Sequence, residues 1–222
     1  MKNLSKLYDK DYFENGPESG KSLYTNYHWL PEQTMGMAAS IISYLKLCPV
    51  KDEILDYGCA KGFLVKALRL LGYQAYGVDV SGYAIKNCDP FVKDYCSLIK
   101  GTLVGDRKFS WILAKDVFEH ISEEDIDEVL SAIAKRTSFL FCVIPLGYEM
   151  QRGDHNSTSN SQFVIPEYGQ DITHVLIKDD KWWFDKLSQF FGNVVYTYRV
   201  KGVKDKWYDV NPYGNGFFIC KV

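Results

Sequence analysis

Residues 51–222 predict an α/β domain: a doubly wound, mostly parallel sheet covered by helices on both faces and finished by an antiparallel closing strand. Three features carry that expectation. From Glu53 onward, short apolar runs alternate with segments of helical period. Asp and Gly close the runs, as the turn into a helix requires. Two last apolar runs, NVVYTYRV and NGFFICKV, are placed to pair as neighbours.

Residues 1–50 stand apart as a loop rich in aromatic, Gly and Pro residues, followed by a helix near Thr34–Leu47 that would cover one sheet edge. The regular pattern then starts with the strand EILDYG and the helix FLVKALRLLG. In that helix Leu64, Ala67, Leu68 and Leu71 fall at i, i+3, i+4 and i+7, and Gly72 sits where a left-handed cap ends it. QAYGVDV is the second strand, SGYAIKN a short helix, DPFVKDY a weak third strand and KFSWILAKD a buried fourth. Ser122 caps the next helix. Glu123, Glu124 and Asp125 put negative charge on its first turn, while Ile126, Val129, Leu130 and Ile133 form its apolar stripe. SFLFCVIP is a fifth strand ended by Pro145, and DDKWWFDKLSQFFG a helix with one of Trp182 and Trp183 in the core. With the two closing runs, seven strands are expected. Residues 146–179 form a long polar insertion, the length at which a loop is commonly functional. Together with residues 1–50 it is a candidate substrate lid.

The 222 residues suit one enzyme-sized domain. Lys plus Arg number 26 against 28 Asp plus Glu, for a net charge of −2, so the global positive field of a nucleic-acid-binding surface is missing. The longest purely apolar run, Phe139–Ile144, is far shorter than the roughly 20 residues of a membrane span. A soluble, cytoplasmic protein without a membrane partner is expected. The six cysteines show no CxxC pair and no Cys/His zinc spacing, so free, mostly buried thiols are expected.

In an open α/β sheet, ligands bind beyond the carboxyl ends of the strands. After the first strand come Asp56, Tyr57, Gly58, Cys59, Ala60, Lys61 and Gly62, whose glycines allow a sharp turn and close approach to the helix-start amides. After the second comes Asp79, 17 positions past Gly62, placed to accept from both hydroxyls of a ribose. Neither GxGxxG nor GxxxxGK[ST] is present, so a pyrophosphate or triphosphate lacks its usual cradle, and an adenosine cofactor without phosphates fits better.

These segments resemble the class I S-adenosylmethionine-dependent methyltransferases, in the small-molecule branch of quinone, sugar and natural-product enzymes. ILDYGCAKG is similar to that family's first motif, usually LDxGCGxG. GVDVSGYAI is similar to its ribose-binding segment, KDYCSL to its adenine-edge segment, and WILAKDVFEHI to the strand and turn written DVxEH. The resemblance implies a Rossmann-like fold with S-adenosylmethionine as cofactor. Asp56 and the turn Gly58, Cys59, Ala60 and Gly62 would hold the methionine end, Asp79 the ribose, Val80 the adenine face and Asp94 the adenine amino group. Lys115 and Asp116 would lie beside the sulfonium. Ala60 departs from the family's glycine, a change that a right-handed backbone tolerates. LYDKDYF and SLYTNYHWL are similar to stretches that close over the cofactor, with Tyr12, Tyr24, Tyr27 and Trp29 as the lid.

A sulfonium methyl is already electrophilic, so the enzyme must chiefly position the partners and, for a hydroxyl acceptor, supply a base. His155, His174 and Asp116 are the candidates. His120 reads as a packed histidine that orients its turn. Asp154, His155, Asp171 and His174 lack a diagnostic metal spacing, and no metal is expected. Asn211-Pro212-Tyr213 lies far from the fourth strand, where amino-directed DNA methyltransferases keep a related motif, and reads as a turn between the last two strands. A DNA substrate is therefore not expected. The expected acceptor is a small polar molecule, most plausibly a sugar hydroxyl, methylated by a monomer or homodimer. The alternatives are an RNA or protein acceptor, a non-catalytic cofactor-binding module and a nicotinamide oxidoreductase, the last disfavoured by the missing third glycine.

Overall fold

A computed structural model describes residues 6–99, 106–149 and 161–222. The chain begins with two short helices, α1 (Lys10–Glu14) and α2 (Gly16–Ser19). Helix α3 (Pro31–Leu45) starts three residues before the expected Thr34, because Pro31 occupies the first turn, where a missing N–H costs nothing. Then follow β1 (Glu53–Tyr57), α4 (Phe63–Leu70), β2 (Gln74–Asp79), α5 (Gly82–Lys86), β3 (Cys96–Leu98) and β4 (Phe109–Lys115). The second half holds α6 (Ile126–Ala134), β5 (Thr137–Pro145), β6 (Gly147–Glu149), β7 (Ser161–Phe163), α7 (Asp180–Ser188), β8 (Asn193–Thr197), α8 (Asp205–Val210) and β9 (Asn215–Lys221).

The sheet has seven strands in the order β3-β2-β1-β4-β5-β9-β8, parallel except for β9, which runs against both its neighbours. This is the Rossmann-like class the sequence predicts. Period-2 alternation divides each central strand between two cores. Ile54, Trp111 and Leu113 face α3 and α4, meeting Ala38, Ile41, Leu64 and Leu68. Leu55, Ile112 and Leu140 face α6 and α7, meeting Ile126, Leu130, Trp183 and Leu187. Trp183 is fully buried, as expected of one member of that pair. Ser122 Oγ accepts from the Asp125 N–H at 3.2 Å and caps the turn that leads into α6.

The third strand is displaced from its expected position. Asp89 accepts from the Phe91 N–H at 3.0 Å and from Lys66 Nζ at 2.9 Å, so Asp-Pro-Phe is a turn, and the strand waits until Cys96. Helix α8, with no apolar stripe in DKWYDV, was not legible. Asn211-Pro212-Tyr213 is a turn between the last two strands, as expected, and follows that helix directly. In the insertion, β6 and β7 form an antiparallel pair.

Three of the free thiols gather beneath the first turn. A Cβ on Gly62 would lie 2.9 Å from the sulfurs of both Cys88 and Cys96, and Gly62 has φ +78°. Cys59 joins them through a hydrogen bond with Cys96. That bond is the strongest single influence and pulls the Cys59 thiol down, but burial together with the nearby Asp79 and Asp56 carboxylates overrides it and lifts the thiol to about 11. Thiol–thiol hydrogen bonding, with burial, also raises Cys88 and Cys96. No helix among the described residues is long and apolar enough to cross a membrane.

Candidate active site

Because β1, β2 and β4 are parallel, their carboxyl ends open onto one edge, and the turn after β1 is held there by backbone. The amides of Gly58 and Cys59 both donate to the Val78 carbonyl, at 2.8 and 3.0 Å. Gly58 has φ +85°, and a Cβ there would come within 2.5 Å of a Val117 methyl, so only glycine fits. Ala60 corrects the expectation of a right-handed backbone: its φ is +48°, a left-handed conformation in which the methyl group is strained. The turn holds Ala60 so because its N–H donates to Asp79 Oδ2 at 2.7 Å. Asp79 Oδ1 accepts from the Ser81 N–H at 2.7 Å. Each oxygen keeps a further acceptor site, and the carboxylate lines the cavity.

The cavity has two lobes that share Tyr24, Gly58, Ala60 and Asp116. The first is lined by Asp79, Val80, Ile99 and Val117, with Tyr8, Tyr12 and His120 on the side of the amino-terminal segment. The second is lined by Asp56, Cys59, Tyr27, Phe63 and Lys115. Burial lifts the Asp56 carboxyl to about 7 against the pull of Lys115. The amino-terminal segment is fastened over the turn by Lys61, which donates to Glu14 Oε1 at 2.5 Å and to the Tyr27 carbonyl at 2.7 Å. Ser81 Oγ also donates to the Tyr8 carbonyl at 2.6 Å.

The expected residues are thus partly gathered. Asp56, Gly58, Cys59, Ala60, Asp79, Val80, Lys115, Asp116 and Tyr24 line the lobes. Gly62 lies beneath, against the thiols. Asp94 is a correction: it is exposed and precedes β3, at the wrong end of the strand, and Ile99 occupies the wall beyond that strand. Trp29 packs on Phe63, with ring centroids 5.9 Å apart, and takes no part in the lining. His155 and Asp154 lie outside the described residues.

Asp116 is also corrected as a base. Burial alone would raise its carboxyl, but ion pairs with Lys115 and Lys204 override it and hold the group well below the usual carboxylate range. It is a fixed anion with both oxygens engaged. Its φ of +56° aims it between the two lysines.

Beyond it, Glu119 is fully buried with neither oxygen hydrogen-bonded. His120 Nδ1 faces Thr173 Oγ1 at 2.8 Å. Because Thr173 Oγ1 gives its own proton to Asp171 Oδ1, His120 Nδ1 is the donor. Tyr12 donates to the other Asp171 oxygen at 2.7 Å. His174 Nδ1 donates to the Tyr168 carbonyl at 2.6 Å, and its ring lies behind that of His120, centroids 4.6 Å apart, outside the cavity lining. Burial pushes both imidazoles down, His120 to about 4, so both are neutral near pH 7. Sequence reasoning missed Tyr8, Ile99 and Lys204 as site residues. It left Glu119 and His120 as turn residues, although both stand in the EH of DVFEH.

A family model described as a methyltransferase domain matches residues 31–174. The chain belongs to that family. It is an S-adenosylmethionine-dependent methyltransferase of the class I fold. A search of curated proteins found no match. Among solved structures, a SAM-dependent methyltransferase from Archaeoglobus fulgidus is similar at TM-score 0.61 and 17% identity, covering 85% of this chain and 94% of that one. An S-adenosylmethionine-dependent methyltransferase from Clostridium acetobutylicum gives 0.58 and 10%, covering 87% and 92%. The glycopeptide N-methyltransferase MtfA, complexed with S-adenosylhomocysteine, gives 0.57 and 11%, covering 84% and 90%. At these identities the likeness is one of fold. The methyltransferase's own residues fit the cofactor: a buried carboxylate with spare acceptor sites at Asp79, apolar walls at Val80, Ile99 and Val117, and the carboxyl of Asp56 and the ammonium of Lys115 lining the adjoining lobe.

Proposed function

We propose that this methyltransferase methylates a hydroxyl of a small polar acceptor, a sugar or related metabolite, in the cytoplasm. The observation that carries the reading is the wall facing the first lobe. Tyr8, Tyr12 and Tyr24 offer phenolic groups and His120 an imidazole, under a segment fastened down by Lys61. Such a wall can hydrogen-bond a polyol and enclose it. The net charge of −2 supports a small acceptor over a polyanion.

In this reading Asp79 takes the ribose hydroxyls, Val80, Ile99 and Val117 sandwich the adenine, and Asp56 and Lys115 meet the amino and carboxylate groups of the methionine end. When bound, the cofactor would supply an electrophilic sulfonium methyl for the acceptor hydroxyl, whose proton would pass to water. Asp116, held between two ammonium groups, does not take that proton. Its part is to fix Lys115. Residues 6–50 serve as the cover that excludes water.

Calorimetric titration with S-adenosylmethionine and S-adenosylhomocysteine, followed by transfer of labelled methyl to nucleotide sugars, glycans, RNA and protein in parallel, tests the reading. Label on a sugar hydroxyl is the expected result. Label confined to RNA or protein would overturn the acceptor assignment while leaving the cofactor site intact.

A further inference from the structure

Glu119 poses a physical problem that the cofactor site does not solve. A carboxyl group with 0% exposure and no hydrogen bond to either oxygen loses its hydration with nothing in return. Yet its backbone is tightly placed, its carbonyl accepting from the amides of Val175 and Leu176 at 2.9 and 3.0 Å. The side chain is therefore held where it is by the same link that brings His174 alongside.

The two histidines are prepared in the same direction. Each has Nδ1–H spoken for, His120 by the Thr173–Asp171–Tyr12 chain and His174 by the Tyr168 carbonyl, which leaves Nε2 as the lone-pair edge. Fixing one ring nitrogen by a carboxylate relay or a backbone carbonyl is how metal-ligating histidines are oriented. His174 Nε2 lies 3.9 Å from Glu119 Oε1, and ligand atoms from Glu119, His120 and His174 all fall within 4.8 Å of one another. Donors about 2.1 Å from a shared ion sit roughly 3 to 3.5 Å apart, so small rotations of three side chains would close the set.

We propose that Glu119, His120 and His174 form a divalent-cation site on the acceptor side of the cavity. Two imidazoles and one carboxylate favour a first-row transition ion, Co2+ or Zn2+ ahead of the harder Mn2+, over Mg2+ or Ca2+. The cluster differs from the unpersuasive sequence grouping, sharing only His174 with it. His120 lines the first lobe, so the ion's open positions would meet an oxygen of the acceptor. That use rests on the hydroxyl reading above; cation binding itself does not. Asp116 neutralises part of the charge of Lys115 and Lys204 that would otherwise oppose a cation here.

The test uses the full chain, stripped with a chelator and dialysed, then titrated calorimetrically with Mn2+, Co2+, Zn2+ and Mg2+, with Co2+ visible absorption as a second readout. Expected are one saturable site for Mn2+, Co2+ or Zn2+, much weaker binding of Mg2+, and at least a tenfold loss of affinity in both Glu119→Gln and His174→Gln. Thermal midpoints of the stripped variants establish that they are folded, and either variant suffices if the other is not. Absence of binding by the intact chain overturns the proposal, as does affinity that a folded variant leaves within twofold. S-adenosylhomocysteine titrated into the same stripped sample reports on the cofactor reading separately. Cation binding without it would fail that reading alone, and the reverse result would fail the cation site alone.

Discussion

In the reading proposed above, the cofactor half and the acceptor half of the cavity are built on different principles. The cofactor half is made largely by backbone: the Gly58–Gly62 turn, the amides of Gly58 and Cys59 on the Val78 carbonyl, and Asp79 anchored by the amides of Ala60 and Ser81. It comes from two consecutive strand–turn units. The acceptor half of that reading is lined by the side chains of Tyr8, Tyr12, Tyr24, Asp116 and His120, which are backed by Glu119, Asp171, Thr173, His174 and Lys204, so that four distant stretches contribute. Backbone sites leave a local imprint of glycines and turn residues at fixed offsets. Side-chain sites leave residues whose partners are fixed only by the tertiary fold.

The comparison breaks hardest at Lys204. Its side chain is 7% exposed and paired with Asp116, so Lys204→Met leaves a half-buried carboxylate with one remaining ammonium. We expect a loss of about 3 kcal/mol in urea unfolding, with Asp116→Asn in the same background returning part of it. If the double variant recovers nothing, the two groups are not coupled. On the cofactor side, Asp79→Ala is expected to weaken S-adenosylhomocysteine binding tenfold or more, about 1.4 kcal/mol, by calorimetry. Unchanged affinity would place the ribose elsewhere.

Asp56 sharpens the contrast, because there binding and stability oppose each other. Its carboxyl is raised to about 7, so between roughly pH 4 and pH 7 the folded chain holds a proton that the unfolded chain releases. Stability from this group is therefore lost as pH rises through that window. Asp56→Asn should be more stable than the parent at pH 8, by about 1 kcal/mol, while losing affinity for the cofactor. A variant less stable at pH 8 would contradict the raised carboxyl. The smallest effect is expected at Ala60. Ala60→Gly relieves the left-handed strain and should raise stability by up to about 1 kcal/mol, less the entropy that glycine adds to the unfolded chain.

The same division explains what could be read from the sequence. The strand and helix order was legible because apolar periodicity is local, and the first turn because Gly58, Gly62 and Asp79 stand at telling offsets. The third strand slipped because Asp89 and Pro90 form a turn inside a segment that only looked apolar. Asp94, which the resemblance of KDYCSL to an adenine-edge segment implied, precedes the strand and so stands at its wrong end. Asp116 was placed beside the cavity, but its role could not be, since Lys204 lies 88 residues away and nothing in its neighbourhood marks it. Glu119 and His120 were in view as part of DVFEH. What set them apart, burial without a partner and a fixed imidazole tautomer, exists only once residues 171–174 fold against them.

The trio of Cys59, Cys88 and Cys96 gives the cofactor half a built-in clock. Their thiols are buried and raised, so an alkylating reagent finds almost no thiolate while the turn stays closed. Labelling must then wait for the segment around Gly62 to open, and its rate reads out the frequency of that opening residue by residue. A ligand that ties the turn down slows the clock, whatever chemistry it goes on to do.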